Sequence, residues 1–159
     1  MTRSPLACAN LIALVVPAAL LGGALGFQYI GGLYPCEMCW WQRYPHGAAI
    51  VLAALALAAG ARPARRWLVA AAGLAVAVSG AIGVYHAGVE QKWWQGITAC
   101  SAKPIVGSPD EMLRQILATP IVRCDAIPWS WLGISMAGWN AIISLAAAGA
   151  IAWLITRPR

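Results

Sequence analysis

Four long stretches of this sequence contain no charged residue, and they constrain the fold more than any other feature. The stretches are residues 4–36, 44–61, 67–89 and 126–156. A helix needs about 18 to 20 consecutive apolar residues to cross the hydrocarbon of a bilayer, and each stretch is near or beyond that length. Hydrophobic residues make up 61% of the chain and charged residues only 10%, well below the charged fraction of a soluble domain. We therefore expect an all-α membrane protein, a bundle of four transmembrane helices.

The same stretches predict the limits of the helices and loops. We expect one integral membrane domain, residues 1–159, whose transmembrane helices lie at about 9–30, 41–60, 67–87 and 132–155. The first outward loop, about 31–40, is then short. The third loop, about 88–131, is long and also faces outward.

Basic residues are distributed unequally between the two sides of this bundle. The N-terminus, the second loop and the C-terminus contain no acid, and their basic residues are Arg3, Arg62, Arg65, Arg66, Arg157 and Arg159. The first and third loops, counted with Arg43 just after the first, have five basic and five acidic residues. By the positive-inside rule, both termini and the second loop are cytoplasmic. The formal charge of +6 thus indicates orientation in a membrane, and no nucleic-acid partner is expected.

The third loop contains the signature of a short helix. In SPDEMLRQIL, Ser108 is a candidate N-cap, Pro109 suits the first helical position and Glu111 completes a capping box. The helix would have one apolar stripe, formed by Met112, Leu113, Ile116 and Leu117. The stripe could lie flat on the bilayer as an interfacial helix or pack against the bundle.

Four of the five cysteines fall in the outward loops, Cys36 and Cys39 in the first and Cys100 and Cys124 in the third. Outside the cytosol such residues usually form disulfides. A bridge between Cys100 and Cys124 would close about 25 residues and stabilise the fold by roughly 3.5 kcal/mol. A Cys36–Cys39 ring closes no useful loop, and Cys-x-x-Cys is the spacing of redox-active dithiols. Cys8 is interpreted as a small buried apolar residue.

Charged and polar residues near the dithiol suggest how it works. If the second helix begins at or just after Cys36, then Cys36, Cys39 and Arg43 share one face at its N-terminus. The helix dipole and the guanidinium would both stabilise a thiolate there, although a snorkelling anchor is the alternative interpretation of Arg43. His86 and Glu90, at i and i+4, lie at the outer end of the third helix.

Three other uses of these residues have to be considered. A structural zinc needs four ligands, and Cys100 and Cys124 are not a second tight pair, so no metal site is expected. A c-type haem needs Cys-x-x-Cys-His, but Trp40 follows Cys39. The main alternative function is a b-type haem electron-transfer membrane protein, with His46 and His86 as ligands of a single haem and the loop cysteines in structural disulfides.

Three motifs resemble one known family. The segment PCEMCWWQR resembles the Cys-x-x-Cys and Gln-Arg signature of the disulfide bond formation protein B (DsbB) family. YHAGVE is similar to its third-helix motif, and VRCDAIPWSWLGISMAGWN to its run from the last cysteine into the fourth helix. The order of the cysteine pairs agrees too, whereas the vitamin K epoxide reductase family has its separated pair before the Cys-x-x-Cys.

The resemblance implies a quinone-dependent protein-disulfide oxidoreductase of the bacterial inner membrane, with its redox cysteines on the periplasmic side. Such proteins reoxidise a periplasmic thioredoxin-fold oxidase (DsbA-like). Carried over by position, the oxidase thiolate attacks Cys100 and Cys124 leaves. Cys124 then exchanges with Cys36, which frees Cys39.

The resemblance also implies roles for four polar residues in electron transfer to a membrane quinone, either ubiquinone or menaquinone. Arg43 would stabilise the thiolate that faces the quinone. His86 and Glu90 would be quinone-side or loop-anchoring groups. Gln42 would help to fix Arg43.

Overall fold

The computed structural model describes residues 4–60, 62–98, 107–118 and 122–157, without the side chains of 115, 116 and 118. Within these residues, five helices and one β-hairpin follow in chain order: α1 Pro5–Tyr29, α2 Glu37–Ala58, α3 Ala64–Glu90, α4 Pro109–Ala118, β1 Ser130–Trp131, β2 Ile134–Ser135 and α5 Met136–Thr156.

The four long helices α1, α2, α3 and α5 form a bundle. α3 packs against α2 and α5, and α1 closes the bundle by contacting the same two helices. Short connections make α1 and α2, and α2 and α3, antiparallel neighbours. Contacts across the bundle bring one set of helix ends together, namely Gln28 with Arg43, Cys36 with His86, and Glu90 with Ser135. We call this set the dithiol end.

The opposite end of the bundle is basic. The connection from α2 to α3 and the first turn of α3 contain Arg62, Arg65 and Arg66, and Arg157 follows α5. Arg3 and Arg159 lie outside the described residues. Charge is therefore separated along the bundle in the way that the sequence suggests.

Three of the long helices, α1, α3 and α5, are long and apolar enough to cross a membrane by length and composition. α2 has 22 residues but does not meet the same test. Its first turns contain Glu37, Gln42, Arg43 and His46, which shorten its apolar run. Its assignment as a fourth span stays a prediction.

The fourth predicted helix begins at Met136, later than the expected residue 132, because a hairpin precedes it. Leu132 and Gly133 have φ angles of 52° and 77°, as in the two-residue turns that join antiparallel strands. Ser135 then caps α5, since its hydroxyl accepts a hydrogen bond from the backbone N–H of Gly138.

The short helix predicted in the third loop is present as α4. Ser108 and Glu111 cap it reciprocally: the Ser108 N–H donates to Glu111 Oε2 at 3.0 Å, and the Glu111 N–H donates to Ser108 Oγ at 3.4 Å. Of the predicted stripe, Met112, Leu113 and Leu117 are exposed. These three side chains therefore do not pack against the described part of the bundle, and the side chain of Ile116 lies outside that part. The position of α4 on the bilayer surface stays a prediction.

Glycines on α3 allow α5 to approach closely. A Cβ at Gly83 would lie 3.0 Å from the carbonyl oxygen of Ala137 and 3.1 Å from the amide nitrogen of Ala141. Similar contacts would arise at Gly73 and Gly80 with α5 side chains. Small residues at helix interfaces are the usual means of close packing in membranes.

We therefore expect Gly83→Ala to destabilise the protein. The added methyl meets backbone atoms, which cannot move aside, and over-packing of this kind costs about 1 to 3 kcal/mol, more than the roughly 1 kcal/mol that alanine gains in helix propensity. Thermal unfolding of the detergent-solubilised protein, followed by circular dichroism, measures the effect. Gly149→Ala on α5, which meets nothing within 4 Å, is the matched control. Equal stability of the two variants would contradict the close approach.

Candidate redox site

The dithiol lies at the first turn of α2. Cys36 is the N-cap residue, and its sulfur accepts a hydrogen bond from the Cys39 N–H at 3.2 Å. The two sulfurs are 2.9 Å apart, which exceeds the ~2.05 Å of a disulfide bond, and the Cys36 thiol donates to Cys39 Sγ. Hydrogen bonding to Cys39 and burial raise the pKa of the Cys36 thiol. Cys39, which is half-buried, is thus the sulfur set up to carry negative charge.

Arg43 follows Cys39 by one helical turn and is turned into the bundle. Its guanidinium donates to Gln28 Oε1 and, at 3.1 Å, to the carbonyl oxygen of Ala24, both on α1. The same group lies 5.0 Å from the centroid of the Trp40 ring. Arg43 is only 8% exposed, so its geometry does not fit a snorkelling anchor. Gln28 escaped notice in the sequence, where its only signal is that it is polar within an uncharged stretch.

Gln42 does not fix Arg43, contrary to the sequence-based expectation. Its amide nitrogen contacts His86 Nδ1 at 2.8 Å and its amide oxygen accepts from Asn140 Nδ2 at 2.8 Å. Consecutive residues on a helix point about 100° apart and do not face each other. Gln42 therefore faces α3 and α5, while Arg43 faces α1.

His86 and Glu90 both lie beside the dithiol and are almost fully buried. His86 Nε2 is 3.6 Å from Cys36 Sγ and 3.9 Å from Glu90 Oε1. The Glu90 carboxylate also accepts a hydrogen bond from the hydroxyl of Ser135, a residue that the sequence did not single out. Glu90 thus joins α3 to the start of α5, while His86 contacts the sulfur itself.

Cys124 lies next to the dithiol, although 85 residues separate it from Cys39 in the chain. Cys124 and Cys36 are each 5% exposed and belong to one buried cluster with Met38 and Val89. The Thr98 hydroxyl donates to Cys124 Sγ at 3.4 Å. Cys100, the proposed partner of Cys124, lies outside the described residues.

Ion pairs at Asp125 attach this part of the third loop to the end of α3. The Asp125 carboxylate contacts the ammonium of Lys92 and, at 2.7 Å, the guanidinium of Arg123. Hydrogen bonds from Arg123 and Lys92 hold the pKa of Asp125 well below its usual range. Cys124, one residue earlier, is thereby held near Cys36.

A cavity of about 600 Å³ opens beside the dithiol. Its polar lining includes Cys39, Arg43 and His86, and its apolar wall is formed by residues of α1, of α5 and of the loops at the dithiol end. Small-molecule sites are typically mostly apolar clefts of about 300 to 1,000 Å³ with a few placed polar groups. The cavity therefore has the size and the chemistry of a site for an apolar ligand with polar atoms at one end.

Cys36, Cys39 and His86 also form a possible metal-ligand group, which the sequence did not predict. One donor atom from each lies within 4.8 Å of the others. Two thiolates and an imidazole are ligands that zinc accepts. The expectation had considered only the four cysteines, because nothing in the spacing places His86 against the first loop.

The two histidines are not arranged as the ligands of one haem. His46 Nε2 contacts Asn140 Oδ1 at 2.8 Å and Ser79 Oγ at 2.9 Å. Asn140 and Gln42 then connect His46 to His86 through hydrogen bonds. Both histidines line the same cavity, but ligation of one haem by both rings would require the hydrogen bonds of Gln42 to His86 and of His46 to Asn140 to break.

A helical membrane bundle with a dithiol in the wall of an apolar cavity, and a third cysteine buried beside it, defines a class: membrane thiol-disulfide oxidoreductases. The comparisons with known proteins agree. The family model described as disulfide bond formation protein DsbB matches residues 7–154, and the chain belongs to the DsbB family. Membership makes it a membrane oxidoreductase of disulfide bond formation.

Several curated proteins named disulfide bond formation protein B are similar to this chain. The one from Marinobacter nauticus is 30% identical over 141 residues, 80% of this chain and 79% of that protein. The one from Verminephrobacter eiseniae is 33% identical over 144 residues, 87% and 78% of the two chains. The one from Alkalilimnicola ehrlichii is 30% identical over 153 residues, 91% of each. No solved structure gives a significant match.

The geometry of the dithiol predicts an order of reactivity. In the reduced, folded protein, iodoacetamide should modify Cys39 at least about tenfold faster than Cys36, which corresponds to one pKa unit, because Cys36 is buried and donates its proton to Cys39. Quenched reactions mapped by mass spectrometry give the two rates. In denaturant the rates should become similar, which is the control. Faster modification of Cys36 in the folded protein would contradict the assignment.

Proposed function

We propose that this protein reoxidises a periplasmic thioredoxin-fold disulfide oxidase of the DsbA type and passes the electrons through two cysteine pairs to a membrane quinone. The observation that carries the proposal is the position of the Cys36–Cys39 dithiol. On one side it meets the buried Cys124, and on the other it lines a cavity of about 600 Å³ together with Arg43. A dithiol between a loop cysteine and an apolar cavity suits the transfer of electrons from a soluble partner to an acceptor dissolved in the membrane.

The protein is proposed to lie in the bacterial inner membrane with α2 as its fourth span. The basic residues Arg62, Arg65, Arg66 and Arg157 at the end opposite the dithiol support a cytoplasmic position for that end. The dithiol end, with the long third loop, would then face the periplasm, where thiols are not kept reduced.

The relay would begin in the third loop. The oxidase thiolate attacks Cys100 Sγ of a Cys100–Cys124 disulfide, which forms a mixed disulfide and releases Cys124 as a thiolate. Cys124 in turn attacks Cys36 Sγ of an oxidised Cys36–Cys39 pair. The new bond joins the loops, and Cys39 leaves with the electron pair. The buried cluster that contains both Cys36 and Cys124 supports this second exchange.

The residues around Cys39 suit a bound quinone. The guanidinium of Arg43 and the ring of His86 supply polar groups to the cavity wall, and apolar residues of α1 and α5 suit an isoprenoid tail. The second thiolate of the oxidase would displace Cys100, and Cys100 would then displace Cys36 from Cys124, which restores the Cys100–Cys124 disulfide and leaves Cys36 and Cys39 reduced. A bound quinone would supply the acceptor for the two electrons and two protons that this dithiol gives up when its disulfide re-forms. Arg43, held by Gln28 and Ala24, keeps its charge one turn from the Cys39 thiolate in the meantime.

Arg43→Ala should lower quinone-dependent turnover roughly 10- to 100-fold, the effect of losing a hydrogen bond or ion contact to a charged group. Arg43→Lys should recover only part of the activity, since an ammonium cannot satisfy Gln28 and Ala24 and also face Cys39. Steady-state oxidation of the reduced partner with added quinone measures this. Arg66→Ala, at the far end of the bundle, is the matched control. Normal turnover of a folded Arg43→Ala protein would remove Arg43 from the mechanism.

The entry point of the electrons can be trapped. A partner that lacks its second cysteine cannot resolve the mixed disulfide, so the adduct should accumulate. When this partner is added to intact spheroplasts, the adduct should map to Cys100, disappear in Cys100→Ser and persist in Cys36→Ser.

Two results would count against the proposal. An adduct on Cys36 or Cys39 would mean that the loop pair is only a structural bridge. An adduct that forms only after the spheroplasts are lysed would reverse the orientation.

A further inference from the structure

A continuous set of hydrogen bonds joins the two histidines of the chain through two side-chain amides. His86 on α3 contacts Gln42 on α2, Gln42 contacts Asn140 on α5, and Asn140 contacts His46 on α2. Asn140 was not singled out in the sequence. Each contact is 2.8 Å between heavy atoms, so the four groups form one network across three helices.

Backbone carbonyls determine which way each amide points, because a carbonyl oxygen can face an NH₂ group but not another oxygen. The Gln42 amide nitrogen lies 3.1 Å from the carbonyl oxygen of Met38. The Asn140 amide nitrogen lies 3.2 Å from the carbonyl oxygen of Ser79. The Ser144 hydroxyl donates to Asn140 Oδ1 at 3.1 Å. Both amides therefore have one orientation that satisfies all of their neighbours.

These orientations assign the ring protons. The Gln42 nitrogen donates to His86 Nδ1, so Nδ1 is unprotonated and the proton of the neutral ring is on Nε2. At the other end, Asn140 Oδ1 can only accept, so His46 is also protonated on Nε2. The Ser79 hydroxyl donates to the carbonyl oxygen of Gln42 at 2.8 Å and therefore accepts from His46 as well.

We propose that Gln42 and Asn140 are positioning residues that lock His86 as the Nε2–H tautomer, so that its N–H is presented to the side that holds Cys36 Sγ, 3.6 Å away, and Glu90 Oε1, 3.9 Å away. Locked in this way, His86 is a hydrogen-bond donor to sulfur and cannot accept the Cys36 proton as a base. The Cys36 thiol donates to Cys39 instead, at 2.9 Å. The tautomer of His86 can be established without the proposed function. Its relevance to catalysis rests on the proposed function, because that function gives Cys36 its catalytic role.

The fixed tautomer of His86 also has a consequence for metal binding. A histidine ligand needs a lone pair toward the metal and usually donates its other N–H to a carboxylate or carbonyl. Here the arrangement is the reverse, since Gln42 presents a donor to Nδ1 and Nε2 carries the proton. Cys36, Cys39 and His86 are thereby kept from acting together as a zinc site.

Nuclear magnetic resonance can read the tautomer directly, because the chain has only two histidines. In the reduced protein labelled with ¹⁵N-histidine and held in detergent at neutral pH, the ring ¹⁵N shifts of His86 should show Nε2 protonated and Nδ1 unprotonated. Gln42→Leu and Asn140→Leu should give a mixture of tautomers. Ser144→Ala, which leaves the amide nitrogen contacts intact, should match the wild type.

Protonation of His86 on Nδ1 in the wild type would overturn the proposal. So would ring ¹⁵N shifts of His86 that are the same in Gln42→Leu as in the wild type. This readout does not depend on quinone or partner. A protein with the proposed tautomer but without quinone-dependent turnover would refute the proposed function alone.

Zinc affinity provides a second test, in case the leucine variants do not fold. Gln42→Glu keeps the shape of the side chain but replaces the donor to Nδ1 with an acceptor, which favours Nδ1–H and frees Nε2. In a Cys100→Ser, Cys124→Ser background, the reduced Gln42→Glu protein should then bind zinc about 10- to 100-fold more tightly than its parent, the usual effect of such a partner. Adding His86→Ala should abolish the gain. Equal zinc affinity of the Gln42→Glu protein and its parent would overturn the proposal.

Discussion

Hydrogen bonds between helices, inside an otherwise apolar bundle, are the interactions on which the rest of this structure depends. A buried polar side chain without a partner costs several kcal/mol in hydrocarbon. Most of the buried polar side chains of the described residues lie at the dithiol end, where Arg43 pairs with Gln28 of α1 and Glu90 with Ser135 at the start of α5. Asn10 in α1 is an exception, because its buried amide has no hydrogen-bond partner among the described residues. The same pairs that stabilise the bundle therefore determine the positions of the groups around the sulfurs.

The two cysteines of the dithiol acquire different chemistry from this arrangement. Cys36 is buried, caps α2 and contacts His86, whereas Cys39 is half-buried and lies one turn from the Arg43 guanidinium. Cys36 keeps its proton, whereas Cys39 lies near a fixed positive charge. In thiol-disulfide exchange, Cys36 therefore suits the sulfur that is attacked, and Cys39 suits the thiolate that leaves. Both cysteines line the cavity, and Cys36 also belongs to the buried cluster that contains Cys124. The difference in chemistry between the two sulfurs suits the direction of the proposed electron transfer, from Cys124 through Cys36 to Cys39.

Sequence patterns predicted the parts of the structure that depend on local spacing. The long helices follow from continuous uncharged stretches, and the cap at Ser108 and the common face of Cys39 and Arg43 follow from residues within two turns of each other. Contacts between helices could not be predicted from local spacing. In the sequence, Gln28 and Asn140 are ordinary polar residues, and only the packing of the bundle shows what they contact. Gln42 was expected to fix Arg43, but the two are adjacent in sequence, and adjacent helical residues face different neighbours.

The close contact between α3 and α5 affects both the packing of the helices and the hydrogen bonds at the site. A Cβ at Gly83 would lie 3.0 Å from the Asn140 amide nitrogen, as close as it would lie to the backbone of α5. The missing side chain thus does two things: it lets the helices approach, and it leaves room for the amide that orients Gln42. A bulkier residue would push Asn140 away from Gln42 as well as separate the helices. The tautomer of His86, which is three residues beyond Gly83 in α3, therefore depends on how closely two helices pack.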